Sequence, residues 1–579
     1  MPKTPQVGFK IINNNVESSV PLLGVTHVVA RTTKGPFNDP STLITGIEQF
    51  RRIFGEEVID PSSSSVSSIE KALGLGSKLR ISRVEGVSGQ TKGTATNPLT
   101  VKLKGSTEVT QFSLTLETLY GGYIFDDSQV SKNLTINQKT VEKAGKIFIN
   151  LENTVGENVL GTDNLINGGE DWLDWTTFRD YLQTANFAVK SVSVVGTLSE
   201  TIKNLDALIT WMSTSENVGI DSTTAAVSTE LSQGSNGGDN PSSDMYIKAF
   251  KATQDYVDAY QVILPQACNY TFKKLAGDKA EASVDATGYN TAMKEIADLV
   301  VAAQEEVLYV EIPVLNADGE VAYDFTTDAG VKAFQTAVTS LQGTIGTSPY
   351  IAYFTGGLKY YNAQGNLVDS DVIGTVAGLG DASASNYGPW KSFAGMNRGV
   401  VNDAYGPVIA NLGTPSKLSV LQDIADYSVN LFLIKDTQSQ GKRTMLWHCF
   451  TSNPKSDSER FLSTVRLNLY IKKNLRPILE SYLEDPNIWD TWQNIYFQGK
   501  PIMDNLVSSS AISEYTWMGD QDASSYDDLV VNTEADVRQG KYKLIIKYKD
   551  IVPIQDVQVT LTIDKASSTV TSEVSTSNV

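Results

Sequence analysis

The spacing of apolar positions changes several times along the chain, and each change predicts an element. Val7, Phe9 and Ile11 alternate with Gly8 and Lys10, the period-two pattern of a half-buried strand. Asn13, Asn14 and Asn15 end it, and a second strand is expected from Leu22 to Arg31. In residues 34–41 the pairs Gly35-Pro36 and Asp39-Pro40 exclude helix and specify turns. Short amphipathic helices are predicted around Gly46 to Phe54 and Ser67 to Leu75, then a strand from Lys78 to Val84.

From about residue 86 to 194 the segments TVKLKG, TQFSLTLETL and KIFINLE read as strands separated by Gly, Asn and Asp. This stretch is expected to be an inserted, mostly antiparallel β domain. Residues 218–243 include a Ser/Gly/Asn-rich linker or surface loop. Between 245 and 355 strands and helices alternate: strands at Tyr260 to Pro265, Val307 to Pro313 and Tyr350 to Thr355, helices at Thr291 to Gln304 and Val331 to Leu341. That order predicts an α/β layer with a largely parallel sheet.

Farther on, Phe461, Leu462, Val465, Leu469, Leu475, Ile478, Leu479, Tyr482 and Leu483 recur at three-to-four spacing, so 456–483 reads as a helix pair kinked or interrupted by Pro477. The clearest strand is KYKLIIKYK, residues 541–549. Tyr542, Leu544, Ile546 and Tyr548 form one face and Lys541, Lys543, Lys547 and Lys549 the other. A last strand, 556–564, sets Val557, Val559, Leu561 and Ile563 on one side. The Ser/Thr-rich residues 565–579 carry no core pattern and read as a flexible tail.

A length of 579 residues fits three or four domains, and 41% hydrophobic with 20% charged residues is ordinary globular usage. The formal net charge of -19 argues against direct nucleic-acid binding, which needs a basic footprint. Two cysteines, Cys268 and Cys449, make no disulfide framework, so folding in a reducing compartment is expected. MPKTPQVGFK lacks a secretory signal pattern, and no apolar run reaches membrane-spanning length, so no membrane insertion is expected.

The residues of catalysis and metal binding are scarce. His27 and His448 are the two histidines, and His448 and Cys449 fall on opposite faces of the strand that Met445-Leu446-Trp447 predicts, so no metal site is expected. Gly441 to Thr444 (GKRT) fails the phosphate-loop pattern twice: Asp436 stands where a Gly is needed and Arg443 where Ser or Thr is needed. Asp369 to Gly374 (DSDVIG) fails a calcium loop through Ile373 and Gly380. No Gly-x-Ser-x-Gly elbow supports a serine nucleophile, and 66 acidic residues make any carboxylate pair uninformative. No catalytic residue, cofactor or metal is assigned.

Two stretches together resemble the contractile tail-sheath family. Gly24 to Gly55 (GVTHVVARTTKGPFNDPSTLITGIEQFRRIFG) and its continuation SSIEKALGLGSKLRISRV resemble the opening strand, Gly-Pro turn, Phe-Gly phrase and helix-strand unit of that family. The second, within 345–563, contains GPWKSFAGMNRGVV (Gly388 to Val401), GKRTMLWHCFTS, and Arg466 to Ile495 with Pro486-Asn487 and Trp489, then the closing segment Asn532 to Ile563. The resemblance covers roughly half the chain, and its specificity lies in the order and spacing of the segments.

That resemblance implies a multidomain chain of α/β and α+β character, with a discontinuous α/β sheath core formed by both chain ends, an inserted β-rich domain and extended terminal β-strand arms. The expected segments are 1–21 (arm), 22–85 (core, first part), 86–194 (insertion), 195–355 (α/β domain), 356–555 (core and C-terminal domain) and 556–579 (arm and tail). It implies a non-enzymatic subunit that polymerises with itself as stacked hexameric rings around a tail tube protein. Baseplate and tail terminator proteins would be further partners. The setting would be the virion tail or a phage-derived contractile injection system, with assembly in the host cytoplasm.

The arms would carry Val7, Phe9 and Ile11, and Val557, Val559, Leu561 and Ile563. A neighbour's strand bearing Tyr542, Leu544, Ile546 and Tyr548 would receive them, the lysines beside it forming a charged interface. Asn13 to Asn15 and Asp550 to Gln555 would be hinges. Burying the four C-terminal apolar side chains yields on the order of 6–12 kcal/mol. Ordering eight or nine backbone residues costs roughly 8–18 kcal/mol. Such an arm is expected to order only on a neighbour. The alternative from another class is a secreted or surface carbohydrate-binding or adhesive protein, against which the missing signal pattern counts.

Overall fold

The strand Val25–Ala30 (β1) has no polar face: all of its residues are buried, Thr26 and His27 included. A run buried on both sides belongs in the middle of a parallel sheet covered on both faces, and that is where the computed structural model puts it. The structure describes residues 23–32, 35–55, 65–85, 94–103, 109–118, 131–143, 146–153, 173–174, 187–194, 203–204, 206–207, 210, 218–219, 226–232, 242–265, 286–314, 321–361, 367–437, 441–453, 458–554, 559–563 and 572–576.

Beside β1 lie Lys78–Arg83 (β3) on one edge and Gln261–Ile263 (β12) on the other, both parallel to it. The ladder continues in parallel through Val307–Ile312 (β13), Ile351–Thr355 (β14) and Val429–Thr437 (β19). Antiparallel strands finish it: Leu43–Ile44 (β2) against β3, Gly441–Leu446 (β20) against β19, and Val400–Val401 (β17) against β20. The order of this nine-stranded sheet is β17-β20-β19-β14-β13-β12-β1-β3-β2.

Successive residues of each strand feed two cores. Val28, Tyr309, Phe354 and Phe432 enter one, under helices Ile47–Phe54 (α1), Ser65–Gly74 (α2) and Ile373–Tyr387 (α6). Val29, Val310, Tyr353 and Leu431 enter the other, under Ser243–Thr253 (α3), Ala286–Ala303 (α4), Asp328–Ile345 (α5) and Leu418–Asp426 (α7). The result is a three-layer α/β body, as alternating strands and helices predict.

The β-rich stretch forms two antiparallel sheets. Thr94–Leu103 (β4), Val109–Thr118 (β5) and Phe187–Val194 (β9) join Val218–Gly219 (β10) in the order β10-β4-β5-β9. Ser131–Lys143 (β6), Lys146–Asn153 (β7) and Leu173–Asp174 (β8) join Ala226–Ser232 (β11) in the order β11-β6-β7-β8. A small sheet of Leu358–Tyr361 (β15), Leu367–Ser370 (β16) and Ala404–Pro407 (β18) stands apart from these.

Several expectations need correction. Strand pairing does not stop at residue 194: residues 218–243, expected to include a linker or surface loop, also hold β10 and β11, which complete the two inserted sheets. Short polar strands such as AVSTELS escape a hydrophobicity criterion. The boundary expected at residue 355 is crossed by one sheet, since β12, β13 and β14 sit between β1 and β19. The segment expected as a helix pair broken at Pro477 is one helix, Leu462–Ser481 (α8), with the proline inside it. Pro477 forfeits the single i→i−4 bond of its missing N–H, and its place near the C-terminal end leaves only a short stretch of helix beyond it.

The true partner of α8 is Trp489–Ser508 (α9), which the sequence reading left without an element. Gly499 and Pro501 mask it, although Trp492, Ile495, Gly499, Met503 and Leu506 form one buried face at helical spacing. Residues 565–579, expected to carry no element, include Ser572–Thr576 (β24).

Candidate assembly surface

The residues singled out for assembly lie mostly after α9. Ile512–Met518 (β21) and Ile545–Asp550 (β22) form a two-stranded antiparallel sheet with Trp517 opposite Ile546 and Tyr515 opposite Tyr548. The pair leans on α9. Gly499 gives the Trp517 ring room, since a Cβ at that position would overlap it. Trp492 is fully buried, stacks on Tyr542 at 5.5 Å between ring centres, and donates from Nε1 to Asn487 Oδ1 at 2.8 Å.

Along 541–549 the sides alternate as the pattern predicts. Tyr542, Leu544, Ile546 and Tyr548 pack against the first core, while Lys541, Lys543, Lys547 and Lys549 face solvent. The regular strand starts only at Ile545, and a side chain explains why. Asn532 accepts from Lys543 N at 2.7 Å and donates Nδ2 to Lys543 O at 3.1 Å, taking the place of a neighbouring strand. Two lysines have acidic partners within the subunit: Lys543 meets Asp536 at 2.7 Å and Lys549 meets Glu514 at 2.5 Å. Exposed pairs of this kind fix side-chain direction more than they stabilise.

Asp520 holds Asn532 in place. Its carboxylate accepts from the main-chain N–H groups of Val530, Val531 and Asn532, at 2.8, 3.0 and 2.7 Å, and from Asn532 Nδ2 at 2.9 Å. Burial alone would raise this carboxyl, but the hydrogen bonds outweigh it and hold it below its ordinary 3.8. The sign follows directly: stability from Asp520 is present above pH 3.8 and lost as pH falls through the lowered folded value. Asp520→Asn is expected to cost about 2–3 kcal/mol through lost charge-assisted bonds. Thermal melting should show the variant losing less on acidification from pH 7 than the parent; an equal loss in both would contradict this role. Sequence reading did not single out Asp520, because an Asp in a polar loop carries no periodic signal.

Beyond β22, Ile551, Val552 and Ile554 are 47%, 44% and 82% exposed. Val559–Ile563 (β23) follows and pairs with β24 of the same chain, Val559 opposite Thr576 and Ile563 opposite Ser572. Val7, Phe9, Ile11 and Val557, like Asn13 to Asn15, lie outside the described residues. The structure therefore brings the predicted receiving strand and the lysines together on one unit but tests no arm against it.

No group of three or more His, Cys, Asp or Glu among the described residues is arranged to hold a metal ion. No described helix is long and apolar enough to cross a membrane. Asp371, within the calcium-like phrase, instead points at the first turn of α6 and at Ser68, and burial pushes its carboxyl up to about 7.

The fold and surface define a large three-layer α/β chain with an inserted β-rich unit and a two-stranded sheet, β21–β22, that pairs with no further strand among the described residues. No protein-family model matches the sequence, and no curated protein matches it. Among solved structures, the helical sheath of the anti-feeding prophage in its contracted state is similar over 97% of this chain and 100% of its own, at 10% identity and TM-score 0.49. A sheath tail protein from Listeria innocua is similar over 96% and 94%, at 13% identity and TM-score 0.47. One from Desulfitobacterium hafniense is similar over 95% and 99%, at 12% identity and TM-score 0.44.

Proposed function

We propose that this chain is the sheath subunit of a contractile phage tail or a related injection machine. It stacks with itself as six-fold rings around a tail tube, bounded by baseplate and terminator proteins, and shortens to drive the tube through an envelope. The observation that carries this reading is the β21–β22 pair. Its inner face is taken up by packing, yet neither edge meets a further strand among the described residues. A two-stranded sheet is marginal alone, and an open edge with alternating side chains is a receptor for strand addition.

The quoted sequence segments support the same reading. Gly24 to Gly55 and Gly388 to Val401, far apart in the chain, contribute β1 and β17 to one sheet. Shortening then needs no bound nucleotide: rigid bodies shift while the segments between strands act as hinges. The exposed run Ile551 to Ile554 follows β22 directly, where an arm bound for a neighbour would leave the subunit.

Electron microscopy of the purified protein is expected to show tubes or stacked rings. In about 1 M salt, where charges are screened beyond about 3 Å, these should loosen but persist, because main-chain strand bonds carry the contact. Protein that stays monomeric at every concentration would end the reading, and full dissociation by salt would exclude a strand mesh.

A further inference from the structure

A histidine in the middle of an apolar strand needs a reason to be there. His27 on β1 is 2% exposed, and both of its ring nitrogens face carboxylates. Nδ1 lies 2.9 Å from Glu306 Oε2 and Nε2 lies 3.6 Å from Asp258 Oδ1. A neutral imidazole offers these acids a single N–H and no charge, whereas the imidazolium places a positive charge within reach of both, as ion contacts rather than formed hydrogen bonds.

The acids sit at the starts of two neighbouring strands. Asp258 precedes β12 and is gripped by Arg80 of β3, with Nη2 2.7 Å from Oδ2. Glu305 and Glu306 precede β13. From the other side, α8 supplies Lys472, 2.6 Å from Glu305, and Arg476, which also bonds Glu305. Lys473 of α8 is 4.0 Å from Glu305 and donates to Val257 O at 2.6 Å. A cavity of about 220 Å³, lined by His27, Tyr256, Glu305, Glu306 and Lys473 among others, gives protons a route to the imidazole.

We infer that this cluster is a proton-dependent clamp: doubly protonated His27 fastens the segments leading into β12 and β13 to β1, and loss of its proton releases them and the α8 side chains that grip them. The inference rests on the cluster alone and is independent of the sheath reading.

Burial lowers the affinity of His27 for a proton, but Glu306 and Asp258 more than offset this, so its value lies above 6.5. Its stabilisation is therefore complete below about pH 6.5 and is lost as pH rises through the raised folded value. Asp258 and Glu305 are held below the carboxylate range and stay ionised throughout. Lys473, lowered by burial to about 8, acts in the opposite sense, its buried charge being relieved above that pH.

The chain has two histidines, which makes the test direct. Burial, with Arg460, pushes His448 down to about 4, so it is neutral throughout the relevant range. In full-length protein labelled with carbon-13 at histidine Cε1, one signal should be imidazolium at pH 6.5 and titrate above it. After correction for intrinsic exchange, amides of 254–260 and 303–308 should exchange on the order of tenfold faster once it has titrated, equivalent to one pKa unit of coupling. His27→Gln should exchange fast at every pH. A neutral His27 signal at pH 6.5, or exchange in the unaltered protein that does not change across the titration, would overturn the clamp.

Discussion

Gly374→Val is expected to destabilise the α/β body by about 3 kcal/mol or more, at or beyond the upper end of ordinary overpacking costs. Gly374 opens α6 against α2, and its N–H donates to Ser68 Oγ at 3.0 Å. A Cβ there would overlap the Ser68 carbonyl, which is main chain and cannot rotate away. Either α6 withdraws from α2, opening the first core, or the Ser68 contact is lost. At about 2–4 °C per kcal/mol for domains of 150–250 residues, the melting temperature should fall by about 6–12 °C. Gly343, in α5 with open space around its Cβ position, is the control. There alanine should stabilise by up to about 1 kcal/mol, because an exposed helical glycine carries only an entropic penalty. A valine at 374 that melts with the parent would show the close approach of the helices to be dispensable.

Removing residues 556–579 is expected to abolish polymerisation while leaving the melting temperature unchanged. Among the described residues the deletion takes away β23 and β24, which pair with each other and supply no strand to the nine-stranded sheet or to β21–β22. A lone hairpin of this size is marginal in water, so its loss costs the subunit little. In a polymer the same strand would gain main-chain bonds and apolar burial on a neighbour's open edge. Electron microscopy and sedimentation of the truncated protein would decide it. Tubes as long as the parent's would remove β23 from the assembly, and a collapse in melting temperature would make it part of the subunit's own fold.

Much of the architecture was legible where the pattern is local. The apolar strands β1, β12, β13 and β14 announce a buried parallel sheet, and KYKLIIKYK announces which of its side chains face inward, as the burial of Tyr542, Leu544, Ile546 and Tyr548 bears out. The helical spacing of α9 was equally present although no element was assigned there; the helix holds both Gly499, whose missing Cβ admits the Trp517 ring, and Pro501. Ile546 and Tyr548 were legible as strand residues, whereas Asp520 and Asn532, which hold the segment leading into that strand, carry no periodicity at all.

The sequence by itself therefore determined which side of KYKLIIKYK is turned inward, that the main sheet is parallel-rich, and that histidine and cysteine number two each. Only the tertiary structure decided that β1 pairs with β12, that β10 and β11 belong to the inserted sheets, and that Asn532 stands in for a strand beside Lys543. It also decided that the scarce histidine on β1 lies between two acids. The division has one physical cause. Periodicity records the burial of a residue, which is set within a few positions of itself, whereas the partner that does the burying is chosen by packing across the whole chain.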